Sequence, residues 1–138
     1  MSRMTPERFL EIVRETLPFA ASLGVDILVL EEGHARVRLP FNPDMTRHGG
    51  TIGGPIMMGL ADMVMYAVVL SCIEDAVGAV TSNLTMNFLR RPGQVAMIAD
   101  GRMLRLGRRL AFGEVELFSE HDPDMVAHAT ATYALPGR

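Results

Sequence analysis

Tryptophan is missing from the 138 residues, cysteine occurs once and tyrosine only twice. A lone cysteine, Cys72, excludes an internal disulfide and a cysteine-built zinc knuckle, and it fits a reducing compartment. A basic surplus is also missing: thirteen Lys and Arg against sixteen Asp and Glu leave a net charge of −3. Domains that read nucleic acid usually carry the opposite balance, so no nucleic-acid partner is expected. No charged-then-apolar leader opens the chain, since Met1 to Glu15 is already rich in charge, and a soluble cytoplasmic protein is the expectation. No repeat, linker or low-complexity run interrupts the sequence. What is present is 49% hydrophobic and 21% charged residues, the balance of one globular domain over residues 1–138.

The N-terminal segment predicts a helix. Thr5 can cap it, Pro6 suits the first helical position, and Phe9, Ile12, Val13 and Leu17 form an apolar stripe that Pro18 ends. Val25 to Leu30 and Ala35 to Leu39 flank Glu31-Glu32-Gly33 as a hairpin. Between Thr46 and Pro55 lie Gly49, Gly50, Gly53 and Gly54, a loop that bends tightly or approaches something closely.

From Pro55 to about Ile73 the chain is apolar on every side. Its length could span a bilayer, but Asp62 lies inside it, at a cost of about 3 kcal/mol near a bilayer centre. A helix buried within its own protein accounts for it better, and no membrane partner is expected. Everything after Gly78 reads as strands, first with Leu84, Met86 and Phe88 alternating with polar residues. Val95 to Leu106, Leu110 to Phe118 and Met125 to Leu135 follow, separated by turn residues, so consecutive strands should be antiparallel neighbours. Ala99, Gly101, Ala111, Gly113, Ala127, Ala129 and Ala131 give these strands one face of small residues, on which a helix could lie very close. The expected class is α+β: a curved antiparallel sheet of five or six strands wrapped around one long helix, with a helix at the N-terminus.

The run Gly53-Gly54-Pro55-Ile56-Met57-Met58-Gly59-Leu60-Ala61-Asp62, followed by Thr81 to Pro92, resembles the hotdog-fold acyl-CoA thioesterases of the phenylacetate-pathway type. The resemblance extends from Val25 to Leu135. It implies the hotdog fold, an acyl-CoA substrate, no cofactor, and a homodimer or a homotetramer built as a dimer of dimers. The family motif has Asn, then His-Gly-Gly six positions later, then an acidic residue nine after the His. Here Arg47 stands at the Asn position and Gly53 at the His position, while Gly54 and the acid, Asp62, are kept.

Asp62 among Leu60, Ala61, Met63 and Val64 would be costly to bury without partners. Functionally it is the carboxylate that activates water or attacks the thioester; structurally it would tie the helix to a loop. Gly54, at the helix start, offers an N–H to a developing oxyanion, although a tight turn would also explain the glycines. Arg47 could orient a carboxylate or touch substrate, whereas His48 reads as solvated. Arg90, Arg91, Arg108 and Arg109 stand at two turns as candidate ligands of coenzyme A phosphates. By resemblance, Thr81 or Ser82 reaches the carboxylate of the neighbouring subunit, so that Asp62 and Gly54 come from one chain and the hydroxyl from the other. His34, His121, His128 and Cys72 have no metal spacing, and no metal is assigned. The methionines are core filler or line an acyl pocket. Two competing classes are a non-catalytic acyl-CoA-binding or assembly protein, and a hydratase, which would usually need a His near its Asp.

Overall fold

The computed structural model describes residues 3–137. Helix α1 (Pro6–Thr16) starts where the capping signal places it: Thr5 Oγ1 accepts from the Arg8 N–H at 3.1 Å. Its stripe Phe9, Ile12 and Val13 is buried. Pro18 does more than stop α1. It opens a short second helix, α2 (Pro18–Ala21), because proline is as well suited to a first turn as it is unsuited to an interior.

Strands β1 (Asp26–Glu31) and β2 (His34–Leu39) form the expected hairpin, with Gly33 at φ +80° in the turn. Helix α3 (Gly54–Cys72) follows the glycine loop. Gly53 is its N-cap, so Pro55 is the second helical residue rather than the first. Then come β3 (Val80–Phe88), β4 (Met97–Leu106), β5 (Leu110–Ser119) and β6 (Met125–Ala134). The six strands form one antiparallel sheet in the order β1-β2-β4-β5-β6-β3, curved around α3 with a helix at the N-terminal end: the hotdog fold.

This order corrects one expectation. β3 and β4 are consecutive in sequence but are not neighbours; β3 pairs with β6 at one edge of the sheet, while β4 is inserted between β2 and β5. The segment after β3 crosses the sheet end, and its first amides are spent there: Leu89 and Arg90 N–H both donate to the Val126 carbonyl, at 2.8 and 3.2 Å. Turn residues mark where a strand stops. They do not say beside which strand the next one lies.

The small-residue face is where α3 lies. Ala99, Ala111, Ala127 and Ala129 are wholly buried, and so are Leu60, Val64, Met65 and Val68 on the helix. A methyl added at Gly101 would sit 2.6 Å from Val64 Cγ1 and 3.2 Å from Val68 Cγ2. One added at Gly113 would meet the Met65 sulfur and the Arg102 carbonyl, the latter at 2.8 Å. The helix is long and apolar enough to cross a membrane. Most of that apolar surface is instead covered by its own sheet, with α1 completing the cover: Phe9 and Tyr66 rings pack with centroids 6.0 Å apart.

Candidate active site

Asp62 lies in the third turn of α3 and is only partly buried, at the wall of a cavity of about 260 Å³. One carboxylate oxygen is held twice. Thr81 Oγ1 donates to Oδ1 at 2.6 Å, and the Tyr133 hydroxyl donates to the same atom at 2.7 Å. Tyr133 also lies 3.0 Å from the Asp62 carbonyl. Among the described residues, Oδ2 has no such partner and is the oxygen left for chemistry. Thr81 and Tyr133 are themselves register partners on β3 and β6, so the sheet delivers both hydroxyls to one point.

These contacts lie within one chain. Thr81 holds the Asp62 of its own chain, because the edge position of β3 folds its start back against the middle of α3. Ser82 is the extra residue of a β-bulge between Thr81 and Asn83, and it is exposed. Tyr133 had a signal in the sequence: it continues the inward row Ala127, Ala129, Ala131 as its only large, polar-tipped member. A buried tyrosine hydroxyl needs an acceptor, and a lone aspartate on the facing helix is the natural one.

Tyr66, one turn beyond Asp62, donates its hydroxyl to the Val77 carbonyl at 2.7 Å and stacks on Tyr133 with centroids 6.1 Å apart. Burial raises the pKa of Tyr66. Burial first, and then the neighbouring Asp62 charge, raises that of Tyr133 much further, so its hydroxyl remains a donor. These are the only tyrosines in a chain without tryptophan. We therefore expect tyrosinate absorbance of the native protein to develop above the ordinary tyrosine pKa of 10.0, with Tyr133 the last to ionise. The folded state holds both protons more tightly than the unfolded state, so stability is full below that pH and falls as pH rises above it. In a spectrophotometric titration, the Tyr133 tyrosinate should appear together with alkaline unfolding. Ionisation of both tyrosines near pH 10 with the fold intact, as judged by circular dichroism, would contradict the buried arrangement.

The second region is the N-terminus of α3. Pro55 has no N–H and Met57 N–H is used on the Gly53 carbonyl at 3.1 Å, which leaves Gly54 and Ile56 as the free donors of the first turn. Gly54 borders a groove of about 550 Å³ that is also lined by Arg47, Arg90, Arg91 and Phe88. A Cβ at Gly54 would sit 3.4 Å from the Phe88 ring. Gly49 and Gly50 have φ of +102° and +81°, so the turn itself requires those two glycines.

The arginines divide. Arg90 is paired with Asp124 at 2.7 Å, and Arg91 donates to the Gly49 carbonyl at 2.9 Å. Arg108 and Arg109 sit in the β4–β5 turn, where Leu135 N–H donates to the Arg109 carbonyl. That turn is at the Val80 end of β3, through Leu110, Ala134 and Val80 in register, and Arg90 and Arg91 are at the Phe88 end. The two pairs do not meet within one chain. Neither do Asp62 and Gly54: eight residues at a rise of about 1.5 Å separate them by roughly 12 Å along the helix axis. Arg47 lines the groove at the helix start, whereas Asp62 lines the other cavity.

The family model described as the thioesterase superfamily matches residues 48–126. A "putative esterase" of Saccharolobus solfataricus is 30% identical over 123 residues, covering 89% of this chain and 86% of that protein. A solved "putative thioesterase" of Silicibacter sp. TM1040 superposes with a TM-score of 0.86 at 32% identity, covering 99% of this chain and 94% of the other. A variant of the phenylacetic acid degradation protein PaaI of Thermus thermophilus gives 0.75 at 29% identity, covering 85% and 97%.

Proposed function

The chain belongs to the thioesterase superfamily, as a hotdog hydrolase of the PaaI-like type, and from that premise we propose that it is an acyl-CoA thioesterase for small to medium acyl or aryl-acyl groups. The observation that carries the reading is Asp62, fastened through Oδ1 by Thr81 and Tyr133 and open at Oδ2 beside a cavity. Such a carboxylate can take a proton from water or attack the thioester carbon itself. Both routes end in a carboxylic acid and a free CoA thiol.

Hydrolysis also needs a donor for the carbonyl oxygen, and roughly 9–12 Å of helix keeps Ile56 and Gly54 of the same chain out of reach. A second copy supplies them. β3 has one open edge, with exposed Val80 and Phe88 at its ends, and open edges invite pairing. A two-fold axis near Leu84 would pair β3 antiparallel with itself, setting Thr81 beside the partner subunit's Asn87. Asp62 of one chain then faces the partner subunit's Gly54, across the cleft from the partner's Phe88. The same dyad brings Arg108 and Arg109 of one chain toward the partner's Arg90 and Arg91, a cationic setting for CoA phosphates. Assembly as a homodimer, or as two such dimers, thus completes the site.

Thiol release from a panel of acyl-CoAs tests this reading. Turnover of at least one compact acyl-CoA supports it. Background release from every substrate, with CoA esters still binding, would instead assign the chain to the non-catalytic binding class.

A further inference from the structure

An aspartate on a partly open helix face does not choose which oxygen it offers. Its terminal torsion is broad, so the two carboxylate oxygens exchange places unless something holds one of them. In Asp62 one is held. Oδ1 takes the Thr81 hydroxyl at 2.6 Å and the Tyr133 hydroxyl at 2.7 Å, from paired positions on two strands. Two donors on one oxygen occupy both of its lone pairs, which fixes the plane of the carboxylate as well as its direction.

The two donors are unequal. Thr81 is exposed in the chain, on the open edge of the sheet beside the β3 bulge. Tyr133 is 2% exposed and braced from behind by two further rings. It stacks on Tyr66, which is tied through its own hydroxyl to the Val77 carbonyl and packs on Phe9 of α1. The Tyr133 hydroxyl also lies 3.0 Å from the Asp62 main-chain carbonyl, so it spans the backbone and the side chain of the residue it touches.

We propose that Tyr133 is a positioning residue for hydrolysis: its hydroxyl pins Asp62 Oδ1 so that the carboxylate reacts through Oδ2 alone, with Thr81 completing the hold. The inference rests on the thioesterase reading and adds which side chain aims its carboxylate. It also gives the stack Phe9–Tyr66–Tyr133 a purpose, as the brace between α1 and the reacting group. On the base route the proton of water goes to Oδ2. On the nucleophile route Oδ2 bonds to the thioester carbon as the CoA sulfur leaves. In both, Tyr133 keeps its hydrogen, which burial and then the Asp62 charge hold on the ring oxygen.

The test follows thiol release from acetyl-, butyryl- and benzoyl-CoA, with thermal unfolding recorded for every protein. The variants are Tyr133→Phe, Thr81→Val, Thr81→Ser, Asp62→Asn and Tyr133→Phe combined with Asp62→Asn. Phenylalanine keeps the stacked ring and removes only the donor, and water from the cavity can replace that donor, so the fold should survive. Tyr133→Phe should lower kcat at least tenfold on the best of the three substrates, with KM within about twofold of wild type. Thr81→Val should lose less, and Thr81→Ser should restore what valine loses. In the Asp62→Asn background the tyrosine change should cost no further activity, because no carboxylate is left to aim. Near-normal kcat in Tyr133→Phe, or an equal fold-loss in both backgrounds, would overturn the positioning role and leave the hydrolase reading intact. A Tyr133→Phe chain that does not fold would assign the hydroxyl to structure and overturn it too. If wild type hydrolyses none of the three esters, the hydrolase reading fails and this inference fails with it.

Discussion

Asp62→Asn should lower kcat by a hundredfold or more on any acyl-CoA the wild type hydrolyses, with KM little changed. An amide cannot take a proton from water and is a poor nucleophile, yet it keeps an Oδ1 acceptor for Thr81 and Tyr133. The fold should consequently survive, and the loss, about 2.7 kcal/mol at a hundredfold, belongs to the transition state. The shared-site geometry adds a sharper result. Gly54→Val, which presses on Phe88 and crowds the helix start, should also be inactive in a dimer of its own. Co-expressed in equal amounts, the two dead variants should recover about a quarter of wild-type activity, because half the dimers are mixed and each has one intact site. A mixture as inactive as its parents would defeat the cross-subunit site. Asp62→Asn with near-normal turnover would defeat the carboxylate's role itself.

Gly101→Ala should be among the most damaging single-methyl additions in the chain. Its new Cβ would stand 2.6 Å from Val64 Cγ1, and valine, branched at Cβ, cannot swing clear inside a helix. Overpacking of this kind costs about 1–3 kcal/mol, against a total stability of about 5–15. The unfolding midpoint should fall by roughly 5–10 °C. The control is the partner. Val64→Ala alone opens a void, but in the double variant the void accepts the methyl, so the combined loss should be at least about 1 kcal/mol smaller than the sum of the two. Additive losses would mean that the helix and sheet do not meet at Gly101 and Val64.

Much of this was legible from composition and period. The all-round apolar helix, its single Asp62 and the small-residue face of the strands are local patterns, and they determine layer and packing distance. The place of β3 was not legible, because strand partners are chosen through sheet closure and not through turn chemistry. The resemblance implied that Thr81 or Ser82 would reach a neighbour's carboxylate; within the chain, Thr81 donates to its own Asp62. The distance between Gly54 and Asp62 was countable from the sequence at 1.5 Å per residue. Tyr133 was readable too, as a polar tip in a row of alanines, but its target becomes evident only once β6 is seen facing α3.

Edge placement of β3 carries a kinetic consequence. β4, β5 and β6 form a meander of adjacent hairpins, closed by short loops, and such pairings form early in folding. β3 joins β6 across some fifty intervening residues, Val80 against Ala134, and closing so large a loop is slow. The Asp62 clamp needs that late strand. In refolding from denaturant, compaction and most of the ellipticity should therefore return first, and turnover should return afterwards in a slower phase.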